Sequence, residues 1–598
     1  MTPPSIEGEN AVTPLGGVVA DLILECAREG RAGRLHTREQ LLRFAARLAP
    51  DNISARPTHI IEAQDLCAAI VNPSEEGVRV AEGGVLLGGV IGEARRWWDV
   101  GSEPPDGTFV LARYSADSVE LLSDITASRT LWYAQDEDRL VASTSQRAVV
   151  ALLGDFHLDR RAVAWLLSSG SLGPDCSWDA RVRRLPPDSR LLLDRRTWRA
   201  TLDHRPAVFA PVARSREEHL DLLRDAIAWS CGALDIDTDR WLLPLSGGMD
   251  SRMILVSMVK NGRRPRCLTW TTLASVRAPL SDAFIARLVA RRFGLEHDYA
   301  FLDGAQGVDG AALQRFVEVG EGGTDEFAGY VDGCAMWSAL FASGLSGVIR
   351  GDEPLAARRR SASLDDARSV GTGEMITDYP EGHLVRRLDL ADQDWPERLQ
   401  LQPGEGYEPY RDRMSQEGGI SRGLAPLTGL KCRYIEVVNP LLSRRIVALV
   451  RTFPDELRMY GRAFSGILDR ESWPIPYARF ASVPAASGYL ADKKIIRAVV
   501  SELTSTAIAA VISEEAAMRL LASLASPSHS PATVRSSVVA AMKAVRVALP
   551  SRVATRLTPR YRGTGPLTAM DLAFRATIAS KTVALLRDDA AVLDQAGA

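Results

Sequence analysis

The sequence predicts an α/β and α+β protein in three parts. These are a β-rich first domain (1–205), a parallel-sheet domain (206–520) and a helical C-terminal extension (521–598). Three observations carry this reading. From His59 to Leu153 the apolar runs are short and broken by glycine and acidic turns, as in Gly83-Gly84-Val85-Leu86-Leu87 and Thr108-Phe109-Val110-Leu111-Ala112. That texture belongs to antiparallel strands. From 215 to 302, helix and strand patterns alternate, which implies a parallel sheet with ligands at its strand C-terminal ends. Within that part, Trp241–Leu245 is an apolar run that stops at Ser246-Gly247-Gly248, and Met253-Ile254-Leu255 opens a helix. At 598 residues the chain is too long for one core.

Composition narrows the function. A formal net charge of −3 makes no electrostatic case for a nucleic acid or a membrane surface. The seven cysteines are dispersed with no C-x-x-C pair, which reads as reduced, buried thiols in a cytoplasmic protein. MTPPSIEGEN lacks a basic-then-apolar targeting pattern, and no apolar run is long enough to span a bilayer. The eight histidines are scattered and form no H-E-x-x-H helix, which argues against a zinc enzyme.

In chain order, helical patterns are expected at Val18–Cys26 and Glu39–Leu48. Strands are expected at 83–87, 108–112, 119–122, 131–134 and 140–143. Asp159 can cap a helix over Arg160–Leu167, and Pro186-Pro187-Asp188 makes a turn before a strand. A helix from Glu217 to about Leu234 leads into the glycine stretch, and the next helix ends at Asn261-Gly262, a good C-cap. A strand at Arg266–Thr271, a helix at Asp282–Phe293 and a strand at His297–Phe301 follow. Gly347-Val348-Ile349 reads as a further strand, ending in Arg350-Gly351-Asp352-Glu353. Later helices are expected at Ala498–Val511, Ala516–Leu524 and Thr568–Leu586, the last two separated by Ser526–Pro531 and a basic segment. The extension reads as a partner-docking surface or a helical cap.

Strand, glycine turn and helix together aim backbone N–H groups at an anion. Gly247 and Gly248 permit close approach of a phosphate, and Ser246 and Ser251 add hydroxyl donors. Asp250 makes sense as a carboxylate holding Mg²⁺ on that phosphate, and Asp352 offers a second from another strand end. The plain alternatives are a structural turn at 246–250 and a solvated acidic cap at 352. No G-K-[ST] sequence occurs, so this is not a Walker loop.

The SGG-x-DS pattern of Ser246–Ser251 resembles the pyrophosphate loop of the N-type ATP pyrophosphatases, the group containing asparagine synthetase. Residues 105–143 resemble the glutamine-hydrolysing domain that precedes the synthetase half of that enzyme. There the nucleophile is a cysteine directly after Met1. Here Thr2 stands in its place and the nearest cysteine is Cys26. The resemblance thus implies a degenerate class II glutaminase-like (Ntn-type) domain, catalytically dead, before an adenine-nucleotide α-hydrolase-like synthetase domain. The stretch Thr324–Trp337 (TDEFAGYVDGCAMW), followed by GLSGVIRGDE, resembles the asparagine-synthetase-like cyclases that close the macrolactam ring of lasso peptides. Ile435–Leu442 with Arg444 and Arg445 resembles the E-x-R-x-P-F-L-D segment of asparagine synthetase, with Val438 in place of Arg.

The resemblance implies that Leu245, Ser246, Gly247, Gly248, Met249, Asp250, Ser251, Thr271 and Gly351 bind ATP. It implies that Asp250 and Asp352 hold Mg²⁺ and that Glu436 accepts the amine proton. Lys493 is the candidate for the family's phosphate-facing lysine, with Lys494 and Arg479 as others. Ile349 stands where β-lactam synthetase has its catalytic tyrosine, so that base is not carried over. The implied reaction adenylates an Asp or Glu side chain of a ribosomal precursor peptide and joins it to the N-terminal amine. The implied partners are that peptide, a leader-recognition protein and a leader peptidase. The alternatives are an asparagine-synthetase or β-lactam-type small-molecule amide synthetase, and a non-catalytic ATP-binding scaffold in a peptide-maturation complex.

Overall fold

A computed structural model describes residues 13–14, 21–30, 35–73, 76–302, 310–352, 354–355, 360–372, 385, 388–471, 474–481, 489–525 and 567–593. Thr2, Glu353, Arg358, Arg359, Ser526–Pro531 and the basic segment after them lie outside the described residues.

The first domain is a two-layer antiparallel sandwich. One sheet orders its seven strands as 13–14, 78–81, 84–91, 106–114, 118–123, 189–194 and 199–204. The other has six, ordered 183–184, 132–135, 139–143, 21–27, 66–71 and 59–63. Leu22, Leu24, Leu66, Ala68 and Ile70 of one sheet meet Val85, Leu87, Val110, Leu121 and Leu191 of the other. Helices Arg38–Leu48, Gln146–Leu153 and Arg160–Ser169 cover the outer face of the six-stranded sheet, where Ile23, Ala69 and Val141 point.

One expectation is overturned here. Asp21–Ala27 is a strand, not a helix, and it runs through the middle of its sheet between 66–71 and 139–143. Both of its faces are covered, so residues 22–27 are all buried. A strand covered on both sides shows an unbroken apolar run instead of alternation, and periodicity cannot separate that from a buried helix. Cys26 lies in this strand. Burial pushes its thiol up to about 11, so it is a core residue and not a nucleophile. All seven cysteines are free and buried.

The second domain is built on a five-stranded parallel sheet ordered 297–301, 266–271, 241–244, 347–349, 436–438. The three strands from 241 to 301 run outward in one direction from Trp241–Pro244. The strands at 347 and 436 are added on its other side. The order therefore reverses between Trp241–Pro244 and Gly347–Ile349, and such a switch point opens a crevice at the strand C-terminal ends. Both faces carry helices. Trp241, Leu243, Cys267, Ile349 and Val438 face 216–232, 250–260 and 282–292. Leu242, Leu268, Val348 and Val437 belong to the core shared with 310–320 and 425–431.

The last helix, Ala569–Ala590, starts with a capping box at Thr568 and is buried along most of its length. It lies between first-domain helices 146–153 and 160–169 and second-domain helices 310–320, 493–503 and 514–525. Asp589, fully buried, takes Arg147 (2.6 Å) and Arg47 (3.2 Å), and Arg575 donates to Asp325 (2.6 Å). This part of the extension is an internal strut, not an appended docking surface. No described helix is long and apolar enough to cross a membrane.

Candidate active site

Two turns meet at the switch point. The first leaves Pro244 and becomes helix Asp250–Lys260. Leu245 is tied to the next strand, its N–H donating to Leu268 O (2.9 Å) and its carbonyl accepting from Thr269 Oγ1 (2.6 Å). Ser246 N–H donates to Ser251 Oγ (3.0 Å), and the two hydroxyls bond each other (2.8 Å). Gly248 N–H donates to Ser246 Oγ (3.2 Å). The N-cap, Met249, supplies no side-chain acceptor. The helix therefore presents first-turn N–H groups and the positive end of its dipole at the strand ends.

The two glycines have different reasons. A Cβ on Gly247 would lie 2.5 Å from Ala478 Cβ and 2.9 Å from Ile285 Cβ, so packing forbids a side chain there. A Cβ on Gly248 would meet only Ser246 Oγ, at 3.2 Å. Gly248 faces the open side, where a phosphate would approach. Gly247 is held by Asp282, whose Oδ1 accepts its N–H (2.7 Å), and by Ala478, whose N–H donates to its carbonyl (3.0 Å). Burial pushes the Asp282 carboxyl up, offset in part by that amide bond. Arg252 braces the same region, donating to the carbonyls of Ile475 (2.8 Å) and Pro476 (2.9 Å) and lying over the Tyr477 ring.

The second turn follows strand Gly347–Ile349. A Cβ on Gly351 would sit 2.9 Å from Ser251 N and 3.1 Å from Asp250 C. The turn thus rests directly on the first residues of helix Asp250–Lys260, and only glycine allows that approach. This contact sets the residue before Asp352 against Asp250. Asp352 is one-fifth exposed and already engaged: Oδ1 takes Arg350 Nη2 (3.0 Å), and Oδ2 takes Asn439 Nδ2 (3.1 Å). Burial would raise the Asp352 carboxyl, but Arg350 and then Lys431 together bring it below the usual range. Lys431, at the end of helix Ala425–Lys431, is pushed down to about 7, chiefly by burial and next by Arg350.

The remaining expected residues divide. Thr271 is buried at a strand end, and its carbonyl accepts Leu302 N–H (2.9 Å). Arg479 directly follows the Ala478 that bonds Gly247, so its backbone is beside the loop, and its N–H donates to Leu280 O (2.8 Å). Lys493 and Lys494 are exposed at the start of helix 493–503, which packs on 310–320, 514–525 and the last helix. The structure does not bring them to the loop. Glu436 is corrected as well. It begins its strand, in register with Gly347, at the opposite end from the two turns. It is fully buried and paired with Arg129 at 3.2 Å. A carboxylate so placed cannot reach an amine at the strand C-terminal ends.

Asp282, Arg350, Lys431 and Asn439 were missed. Asp282 was read only as a helix start, Arg350 and Asn439 only as parts of the GLSGVIRGDE and Ile435–Leu442 stretches, and Lys431 carries no motif. Their assembly depends on strand order.

The described residues fit a nucleotide phosphate: an uncapped helix start, an open Gly248 and two hydroxyls. They also fit Mg²⁺, in that phosphate oxygens would complete a shell begun by Asp250. Among the described residues no preassembled group of three or more acidic, His or Cys side chains exists. The Asp352 oxygens accept from Arg350 and Asn439, so a metal would take their remaining lone pairs.

No protein-family model and no curated protein matches the chain. Solved structures that match include the allosteric regulatory enzyme of purine biosynthesis. It is 8% identical with a TM-score of 0.21, over 48% of this chain and 81% of that one. Another is glutamine phosphoribosylpyrophosphate amidotransferase from B. subtilis complexed with ADP and GMP. It is 6% identical with a TM-score of 0.19, over 48% of this chain and 91% of that one. At these scores neither likeness carries an argument about fold or function.

Proposed function

We propose that the chain is an ATP-dependent, AMP-forming amide ligase that closes the macrolactam of a lasso peptide. The observation that supports it most is the contact of Gly351 with the start of helix Asp250–Lys260, which joins the glycine loop and the second acidic turn at the switch point. In this reading the loop amides, Ser246 and Ser251 bind the phosphates of ATP, and Asp250 and Asp352 are the Mg²⁺ ligands. Bound Mg²⁺ supplies charge neutralisation for the departing pyrophosphate. Arg479 replaces Lys493 as the candidate phosphate-facing cation, because its backbone lies beside the loop. Arg350, positioned by Asp352, is a second cation at the same edge. With Glu436 removed from consideration, Lys431 is the group able to take up a proton near neutral pH, when the amine attacks. Holding amine and carboxylate of one folded peptide together contributes effective molarity.

The test is pyrophosphate release by the purified chain with MgATP, a precursor peptide, a leader-recognition protein and a leader peptidase. Release that requires the precursor, with a product lighter by one water, supports the reading. Release with small amino acids alone would replace it with a small-molecule synthetase. ATP binding without any release would leave a scaffold.

A further inference from the structure

Between the two domains, at the Glu436 end of the parallel sheet, lies a cavity of about 60 Å³. Arg129, Trp132 and Arg184 of the first domain and Glu321, Cys432 and Arg433 of the second contribute to its wall, with Asp21 at its edge. Its charges are unevenly matched. Arg433 holds two acids, Asp21 at 2.9 Å and Glu321 at 2.5 Å. Arg129 holds Glu436 through Nη2, while its Nη1 is buried with no hydrogen-bond partner. Its other neighbour, the Cys432 thiol, is pushed up to about 11 by burial and stays neutral.

Arg184 has less. It is 5% exposed, its Nη1 donates to Ser421 O (3.1 Å), and its guanidinium lies 4.8 Å above the Trp132 ring. Its Nε is buried without a partner, and the carboxylate that acts on it, Asp175, is held by Arg398. A guanidinium out of water without a counter-ion of its own is strongly unfavourable. A water could take up the hydrogen bond but not the charge. Two arginines, each nine-tenths or more buried and each with one guanidinium N–H lacking a partner, thus line one small cavity.

We propose that this cavity binds a small monovalent anion, of the size of chloride or formate, between Arg184 and Arg129. A volume of this order holds a small ion and a water or two, not a nucleotide. The anion serves as the Arg184 counter-ion and ties first-domain arginines to the wall supplied by 425–433. The inference stands apart from whatever reaction the other end of the sheet performs.

The experiment is thermal unfolding of the full chain at constant ionic strength, with sodium chloride, bromide or formate replacing sodium methanesulfonate. The expected result is a saturable rise in Tm with at least one small anion. Arg184→Met should abolish that rise. Arg196→Met, at an exposed arginine, should keep the rise. Crystals of the parent grown in bromide should show an anomalous peak within hydrogen-bond distance of Arg184 Nε, which decides the matter even if Arg184→Met does not fold. No saturable rise with any of the three anions, an equal rise in Arg184→Met, or an ordered bromide confined to other places would overturn the proposal.

Discussion

The two ends of the parallel sheet are made from the same strands and behave as opposites. At the N-terminal end the strand-end groups are closed by partners. Glu436 meets Arg129, Trp241 Nε1 donates to Glu76, and Ser346 Oγ donates to the same carboxylate at 2.9 Å. Gly347 lies under the Trp241 ring, where a Cβ would come within 2.3 Å of it. At the C-terminal end the helix start lacks a side-chain cap, and Gly248 faces open space. A lysine there is pushed down to about 7. The strand ends are packed as core on one side and open to a ligand on the other. An acid therefore takes its meaning from the end of the strand it occupies, not from its motif.

The largest expected effect tests the closed end. Glu436→Gln leaves Arg129 buried without a carboxylate and should cost about 3–5 kcal/mol of stability, as breaking a buried pair does. Denaturant melts measure it. An unchanged midpoint with lost activity would return Glu436 to the chemistry. The open end should respond in rate. Asp250→Asn and Asp352→Asn should each lower adenylation ~10²–10³-fold, or roughly 3–4 kcal/mol of barrier, and the double mutant should lose much less than the sum. Single-turnover adenylation across a Mg²⁺ titration checks this, and additive losses would refute a shared metal.

The paired glycines sharpen the contrast at smaller scale. Gly347→Ala drives a methyl into Trp241 and should cost about 1–3 kcal/mol. Gly248→Ala should leave the melt nearly unchanged and weaken ATP binding instead. If calorimetry gives both variants the same profile, the two ends are not different in kind.

Lys431 gives the most diagnostic effect. Its folded pKa of about 7 lies below the ordinary 10.5. Between those values the unfolded chain binds a proton that the folded chain refuses. Stability therefore falls as pH drops from about 10.5 to about 7, and the loss is complete below that. Lys431→Met should be more stable than the parent at pH 7, with the gap closing as pH rises. A gap independent of pH would mean that the lysine is charged in the folded protein.

Much of the second domain was legible because its signals are local. His297–Phe301 was read with its observed bounds, and Asn261 ends a helix where expected. Asp21–Ala27 was misread because covering both faces of a strand erases its period. The last helix was set apart as an extension because twenty-two residues read alone do not reveal which helices will cover them. Glu436 was read from a motif that aligns positions along the chain and says nothing about which end of a strand each position occupies.

By itself the sequence determined most of the expected elements and the glycine loop. Apolar period, caps and Ser246–Ser251 are properties of neighbouring residues, and the backbone geometry they demand is local. Tertiary structure alone decided which strand ends lie together. That depends on strand order: placing Gly347–Ile349 beside Trp241–Pro244 sets Gly351 on the start of helix Asp250–Lys260 and turns Glu436 to the far end. Pairing between strands a hundred residues apart is settled by burial of whole faces, and no short segment carries that information.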